Sequence, residues 1–164
     1  MQIVTLGSEL LRQKAEKIEQ IDDEVTALAN KMLEIVKTDN GIGLAGPQIG
    51  VNRRIFVTHI NNDEKRIFIN PSIIETSLKT CKYEEGCLSI PGIYSNVIRC
   101  ESIKIQAWNE KGRPFTLEAN GLLARVILHE YDHLEGTLFI DRLPENKRKK
   151  LVEKYENLNK AEKT

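Results

Sequence analysis

Residues 129–133 read His-Glu-Tyr-Asp-His, with the two histidines four positions apart. On a helix of about 3.6 residues per turn such a pair shares one face, so His129 and His133 can hold one metal ion between them. Glu130 can then reach a water beside that ion. This is equipment for metal-assisted hydrolysis. Two imidazoles are only two ligands, however, and a catalytic site of the zinc type takes three and keeps a further position open. The third ligand decides which chemistry follows.

The metzincin extension H-E-x-x-H-x-x-G-x-x-H is followed as far as Gly136, but Phe139 then stands where the third histidine would be. Phenylalanine binds no metal. A glutamate from a later helix is the other common solution, and Glu153 or Glu156 could serve, but both fall in a polar, Lys-rich stretch expected to face solvent. His59 is placed to share a strand face with Val57 and reads as an ordinary sheet residue. Cys87 lies in Glu85-Gly86-Cys87-Leu88-Ser89, with a flexible glycine before the thiol and an apolar residue after it. Taken alone, a small core residue is the better reading of that cysteine.

The elements that must position these groups follow from patterning. Ser8-Glu9-Leu10-Leu11 can open a short helix. A longer one is predicted from Asp22 as N-cap to Lys37, with Val25, Leu28, Met32, Ile35 and Val36 as its apolar stripe and Asn40-Gly41 as its stop. Strand signals then run through Arg54–Ile60, Arg66–Asn70, Ser102–Trp108 and Pro114–Ala119, with Asn61-Asn62-Asp63 and Asn109–Gly112 supplying turns. Their short connections favour an antiparallel sheet. Asn120 can cap a helix from Gly121 to about Glu135 that carries both histidines, with Gly136 at its C-terminal left-handed position. A last helix from about Glu145 places Leu151, Val152, Tyr155 and Leu158 on one side.

The chain has 164 residues, 40% hydrophobic and 29% charged, which suits one folded domain over residues 1–164 rather than a disordered chain. Its 24 basic and 24 acidic residues cancel, so there is no global field to gather DNA. No apolar run reaches about 18 residues and no secretory pattern opens the chain, so no membrane association is expected and the cytoplasm is the expected compartment. Cys81, Cys87 and Cys100 cannot all pair within one chain, and a cytosolic protein would keep them reduced.

Three segments change the reading when taken together. Gly41-Ile42-Gly43-Leu44-Ala45-Gly46-Pro47-Gln48, then Glu85–Ser89, then after about forty residues His129–His133 closely resemble, in order and spacing, the signature motifs of peptide deformylase, in its bacterial type with a C-terminal helix. Leu10-Leu11-Arg12 and Ile69-Asn70-Pro71 extend the resemblance over nearly the whole chain. The fold it implies is α+β, with antiparallel sheets packed around the central helix of the pentad, N-terminal helices and a C-terminal helix.

The resemblance implies a metal-dependent hydrolase that removes the N-formyl group from the initiator formylmethionine of nascent polypeptides, releasing formate. Cys87, His129 and His133 would bind one divalent metal, commonly Fe(II), although Zn(II), Ni(II) or Co(II) suit the same ligands. Glu130 would take a proton from the metal-polarised water and pass it to the departing amine. The side-chain amide of Gln48 and the backbone N–H of Leu88 would stabilise the developing oxyanion. Ile42, Gly43 and Gly86 would contact the peptide backbone as it pairs like an added strand, and Leu122 and Val126 would wall an apolar pocket for the methionine. Outside the motifs, Gln48 would read as a polar loop residue, Gly41 and Gly43 as helix-stopping glycines, and Leu122 and Val126 as core.

Glu85 and Arg99 occupy positions that in the family can pair beneath the cysteine loop, a contact that matters only if buried. Two departures stand out. Gly46 replaces a usual alanine, which adds backbone freedom and is expected to loosen Gln48 without abolishing its role. Tyr94 stands in a stretch where some members carry a substrate-contacting arginine, so its contribution is open. The last helix, with Arg142, Lys147, Arg148, Lys149, Lys150, Lys154, Lys160 and Lys163 against Glu145, Glu153, Glu156 and Glu162, is net basic. Such a run is usually a solvated face, and in related bacterial proteins that helix can dock on the ribosome. Two competing readings are a zinc endopeptidase, which would share the pentad, and a closed structural metal module, which would have no use for Gln48 and Glu130.

Overall fold

The computed structural model describes residues 2–162. A short 3-10 turn over Glu9–Arg12 is capped by the Ser8 side chain. Helix α1 spans Asp23–Thr38, and Asp22 caps it by accepting from the Val25 N–H at 3.1 Å. It stops where Asn40 turns to φ 53°. Strand β1 (Gly43–Ala45) runs into a 3-10 turn at Gly46–Ile49, followed by β2 (Ile55–Thr58) and β3 (Arg66–Thr76). Next come β4 (Thr80–Gly86), β5 (Tyr94–Cys100), β6 (Ser102–Trp108) and β7 (Pro114–Asn120). Helix α2 covers Gly121–Leu134, a 3-10 turn Phe139–Arg142, and α3 covers Glu145–Glu162.

Five strands form one antiparallel sheet in the order β1-β2-β3-β6-β7, while β4 and β5 pair separately as a two-stranded hairpin. Helices cover both faces of the large sheet. One face gathers Phe56, Phe68, Ile105 and Ala107 with Ala124 and Ile127 of α2. The other gathers Leu44, Ile55, Val57 and Ile69 with Val25, Ala29, Met32 and Val36 of α1. Coverage on both sides explains why β2 is apolar in consecutive positions rather than alternating. Phe56 and Phe68 are register partners with ring centroids 4.6 Å apart. A third cluster, with Ile90, Ile93, Val97, Phe139, Ile140 and Tyr155, lies under α3 and the loop after Cys87.

The architecture is α+β as expected, with differences in detail. β3 continues past Asn70 to Thr76, because a register break between Ile69 and Ser72 lets the strand pass Pro71, with Asn70 at φ 50°. The buried stripe of α1 takes Ala29 and Leu33, leaving Leu28 and Ile35 half-buried. On α3, Tyr155 is buried but Leu158 is exposed. The β4–β5 hairpin is absent from the strands predicted above. Its inward positions are Glu85, Ser95, Val97 and Arg99, whereas Tyr94 and Ile98 point out, so its polarity is close to inverted. Among the described residues no helix is long and apolar enough to cross a membrane.

Candidate active site

Three segments meet at a cavity of about 420 Å³. Helix α2 supplies Leu122, Val126, His129 and Glu130 to its lining, the β1 region supplies Ile42, Gly43 and Gln48, and the end of β4 supplies Gly86, Cys87 and Leu88. His133 sits behind this wall, almost completely buried. Val126 is buried, whereas Leu122 is 42% exposed, so the rim of the cavity rather than the core is the place of Leu122.

One ligand-type atom each from Cys87, His129 and His133 falls within a cluster whose members all lie within 4.8 Å of one another. The Cys87 Sγ and His133 Nε2 are 3.4 Å apart. Tetrahedral bonds of about 2.3 Å to sulfur and about 2.0 Å to nitrogen separate two such ligands by about 3.5 Å, so the pair fits a divalent metal. His129 Nδ1 is engaged with Glu85 Oε1 at 2.8 Å, which leaves its Nε2 for a metal. One thiolate and two imidazoles accept several first-row ions. His59, Glu153 and Glu156 are not in this group. Phe139, at the place of a metzincin's third histidine, stacks on His129 instead, with centroids 5.9 Å apart.

Gln48 is 1% exposed and its amide is fixed in orientation. The Ala45 N–H donates to Oε1 at 2.9 Å, so Nε2 points the other way, 3.1 Å from Ser89 Oγ and 3.5 Å from Cys87 Sγ. The loosening expected from Gly46 is therefore not what the fold displays. A Cβ at Gly46 would stand 2.8 Å from the Val51 carbonyl oxygen and 2.9 Å from that of Arg53, so glycine here lets two backbone segments close around the turn. In the cysteine loop the Ile90 N–H donates to the Cys87 carbonyl at 3.0 Å, closing a turn with Leu88 at its second position. The N–H at that position takes no part in the turn's own bond. Tyr94 pairs across the hairpin with Gly86, and its ring occupies the space a side chain at Gly86 would need. It forms part of the cavity rim.

Beneath Cys87 and the two histidines lies a buried ionic network. Arg99 donates from Nε to Glu85 Oε2 at 2.6 Å and from Nη2 to Oε1 at 3.0 Å, and both side chains are about 95% buried. The pairing beneath the cysteine loop is thus buried. Sequence reasoning missed its other members. Arg125, one turn before His129, donates to Glu85 Oε2 at 2.6 Å and to the carbonyls of Val97 and Cys81, each at 2.9 Å. Asp132 accepts from Arg99 at 2.9 Å and from Arg142 at 2.7 Å. An arginine inside the apolar run Leu122–Leu128, four residues before His129, was the available signal.

Burial works against the Glu85 carboxylate, but hydrogen bonds from His129 and Arg99 hold its pKa down at about 2. Burial also acts to lower His129, yet Cys87, Glu130 and Glu85 raise it well above the ordinary imidazole value. Burial and the charges of His129 and Arg99 push His133 well below that value. Glu130, desolvated and repelled by Glu85, is pushed up to about 7 despite His129. A carboxylate poised near neutrality beside a cavity suits proton transfer in both directions.

The family model described as polypeptide deformylase matches residues 1–149. A peptide deformylase of Borreliella burgdorferi is 45% identical over 156 residues, covering 94% of each chain. One of Clostridium botulinum is 49% identical over 136 residues, covering 83% of this chain and 91% of that one. The crystal structure of a peptide deformylase from Legionella pneumophila superposes with a TM-score of 0.92 at 36% identity, covering 98% of this chain and 96% of that one. Sequence, fold and the Cys87–His129–His133 cluster agree, and the chain belongs to the polypeptide deformylase family.

Proposed function

We propose that this chain, acting as a single domain, hydrolyses the N-formyl amide of formylmethionyl nascent peptides at the cavity described above. The observation that carries this reading is the convergence of Cys87, His129 and His133 with the oriented amide of Gln48 at one cavity. Cys87, His129 and His133 would hold one divalent metal, Fe(II) being the native ion in this reading, with Zn(II), Ni(II) or Co(II) able to replace it. When bound, such an ion supplies Lewis acidity to a water and to the formyl oxygen.

The protein's own groups do the rest. β1 and β4 are each hydrogen-bonded to one neighbour in their sheets, which leaves free edges near Ile42, Gly43 and Gly86 where an extended peptide can pair. Leu122 and Val126 give the methionine side chain an apolar wall. As the formyl carbon becomes tetrahedral, Gln48 Nε2 and the Leu88 N–H donate to its oxygen; losing one such donor costs about 2.7–4 kcal/mol of barrier. Glu130 removes the proton of the attacking water and delivers it to the amine nitrogen as the C–N bond breaks, so formate and a free amino terminus leave.

Contact with the ribosome through α3 is part of this reading, supported by the exposed Lys147, Lys149, Lys150, Lys154 and Lys160. Arg142 and Arg148 of the same segment are paired with Asp132 and Asp141, and Lys163 lies outside the described residues. The cytoplasm is the compartment this reading implies, since nascent chains are made there.

The test is formate release from formyl-Met-Ala-Ser by protein purified without oxygen and loaded with iron or nickel, alongside an unformylated, internally cleavable peptide. Formate from the first and no cleavage of the second is expected. No formate from a metal-replete sample would sink the assignment.

A further inference from the structure

Two buried side-chain oxygens, one of them on Glu130 itself, lack partners among the described residues. Glu130 is 4% exposed and Thr58 is fully buried, and neither Glu130 Oε1 nor Thr58 Oγ1 has a hydrogen-bond partner among the described residues. Buried polar groups are nearly always satisfied, so two orphans in one region call for a cause.

Register brings them together. Thr58 on β2 is the Cα partner of Gly43 on β1, and directly opposed residues of an antiparallel pair project from the same face. A Cβ at Gly43 would stand 2.8 Å from Glu130 Oε2 and 3.0 Å from Glu130 Cγ. The Glu130 carboxylate and the Val126 side chain, 2.9 Å from the same point, therefore share the space that a side chain at position 43 would fill, on the sheet face that Thr58 also occupies. The neighbouring packing agrees, because Phe56, two residues before Thr58 on the same strand face, clusters with Ala124 and Ile127 of α2. The two oxygens make no direct hydrogen bond. A buried water needs two to four polar partners, and these two atoms supply the minimum.

We propose that Thr58 is a positioning residue for Glu130: through one ordered water its hydroxyl holds Oε1, leaving Oε2 as the oxygen that handles the proton. This rests on the proton-transfer role given to Glu130 above. The terminal torsion of a glutamate is broad, so an untethered carboxylate samples many orientations. Tethering one oxygen removes that freedom before substrate arrives, and proton transfer is sensitive to such placement.

Thr58→Val keeps the shape of the side chain and removes the hydroxyl. The kcat on formyl-Met-Ala-Ser should fall about 10- to 100-fold, the range seen when outer-sphere partners of a metal site are removed. KM and metal bound per chain should not change, and Thr58→Ser should recover most of the kcat. An idle hydroxyl predicts the opposite: Thr58→Val would melt higher and turn over as before, which overturns the proposal. A rise in KM or loss of metal that serine does not repair overturns it too, since that marks a merely structural role. Should the valine variant not fold, Thr58→Ala against Thr58→Ser is read by the same criteria. Glu130→Ala in parallel separates the two claims. Retained turnover there removes the proton role and this proposal with it, whereas an inactive Glu130→Ala beside an unaffected Thr58→Val removes this proposal alone.

Discussion

The large sheet and the β4–β5 hairpin dock on the same helix by different physics. The sheet meets α2 through Phe56, Phe68, Ile105 and Ala107, an apolar interface whose strength follows the area removed from water. The hairpin meets it through charge: Glu85 joins Arg125 and His129 on successive turns of α2, and Arg99 reaches Asp132. An apolar face tolerates small shifts, whereas charge-assisted hydrogen bonds fix direction as well as distance. The segment held by charge is the one that leads into Cys87, whose placement against two histidines would have to hold to a few tenths of an ångström for a metal to bind. Specificity of position, more than stability, is what buried ion pairs offer here.

The largest losses are expected at Cys87 and Glu130. Cys87→Ala should abolish both metal binding and turnover, while Glu130→Ala keeps the metal and loses about 10²- to 10⁴-fold in kcat, measured by metal analysis and formate release. Survival of activity in the latter would contradict the proton-transfer role. Next, Glu85→Gln and Phe56→Ala should separate the two interfaces. Each should cost about 3–5 kcal/mol in denaturant unfolding, one by leaving Arg125 buried without a counter-charge and the other by opening a cavity. Only Glu85→Gln should also weaken metal binding, by about 10- to 100-fold. Equal metal affinity in the two folded variants would erase the distinction.

Acid should loosen one interface before the other. Glu85 has its pKa depressed to about 2 in the fold, so the stability it contributes is complete above its ordinary value near 4.5 and is lost as pH falls towards 2. Hydrogen exchange of β4–β5 amides should therefore rise within that window ahead of the β2–β3 amides. Simultaneous loss of protection would argue for a single cooperative unit. The smallest effect is expected from Arg142→Ala. Its side chain is about half exposed and Asp132 keeps Arg99, so about 1 kcal/mol or less should be lost, and metal affinity should hold.

The same contrast explains what the sequence made legible. β6, β7 and α2 were readable because their apolar residues repeat with the period of a strand or a helix and face a core. The hairpin was not, because its inward positions hold Glu85, Ser95 and Arg99 while Tyr94 and Ile98 face out. Cys87 could not be told from a core cysteine until Gln48 and the pentad were read with it. Leu122 and Val126 look alike on the helix pattern, and only the fold separates a rim residue from a buried one. Arg125 is not legible because an arginine within an apolar run resembles a snorkelling surface residue, and its acceptors are supplied by strands 28 to 44 residues earlier.

The separation of Cys87 from His133 by 46 residues has a consequence for the order of assembly. The two histidines come into place with one turn of α2, a local event on the microsecond scale. The thiol arrives only after a long loop has closed and the hairpin has docked, and such non-local steps come late in folding. A metal ion supplied during refolding should therefore meet a two-ligand helix first, hold it weakly, and become kinetically trapped when the hairpin closes. An ion held by all three groups would thus mark the completed fold and staple the hairpin to the helix.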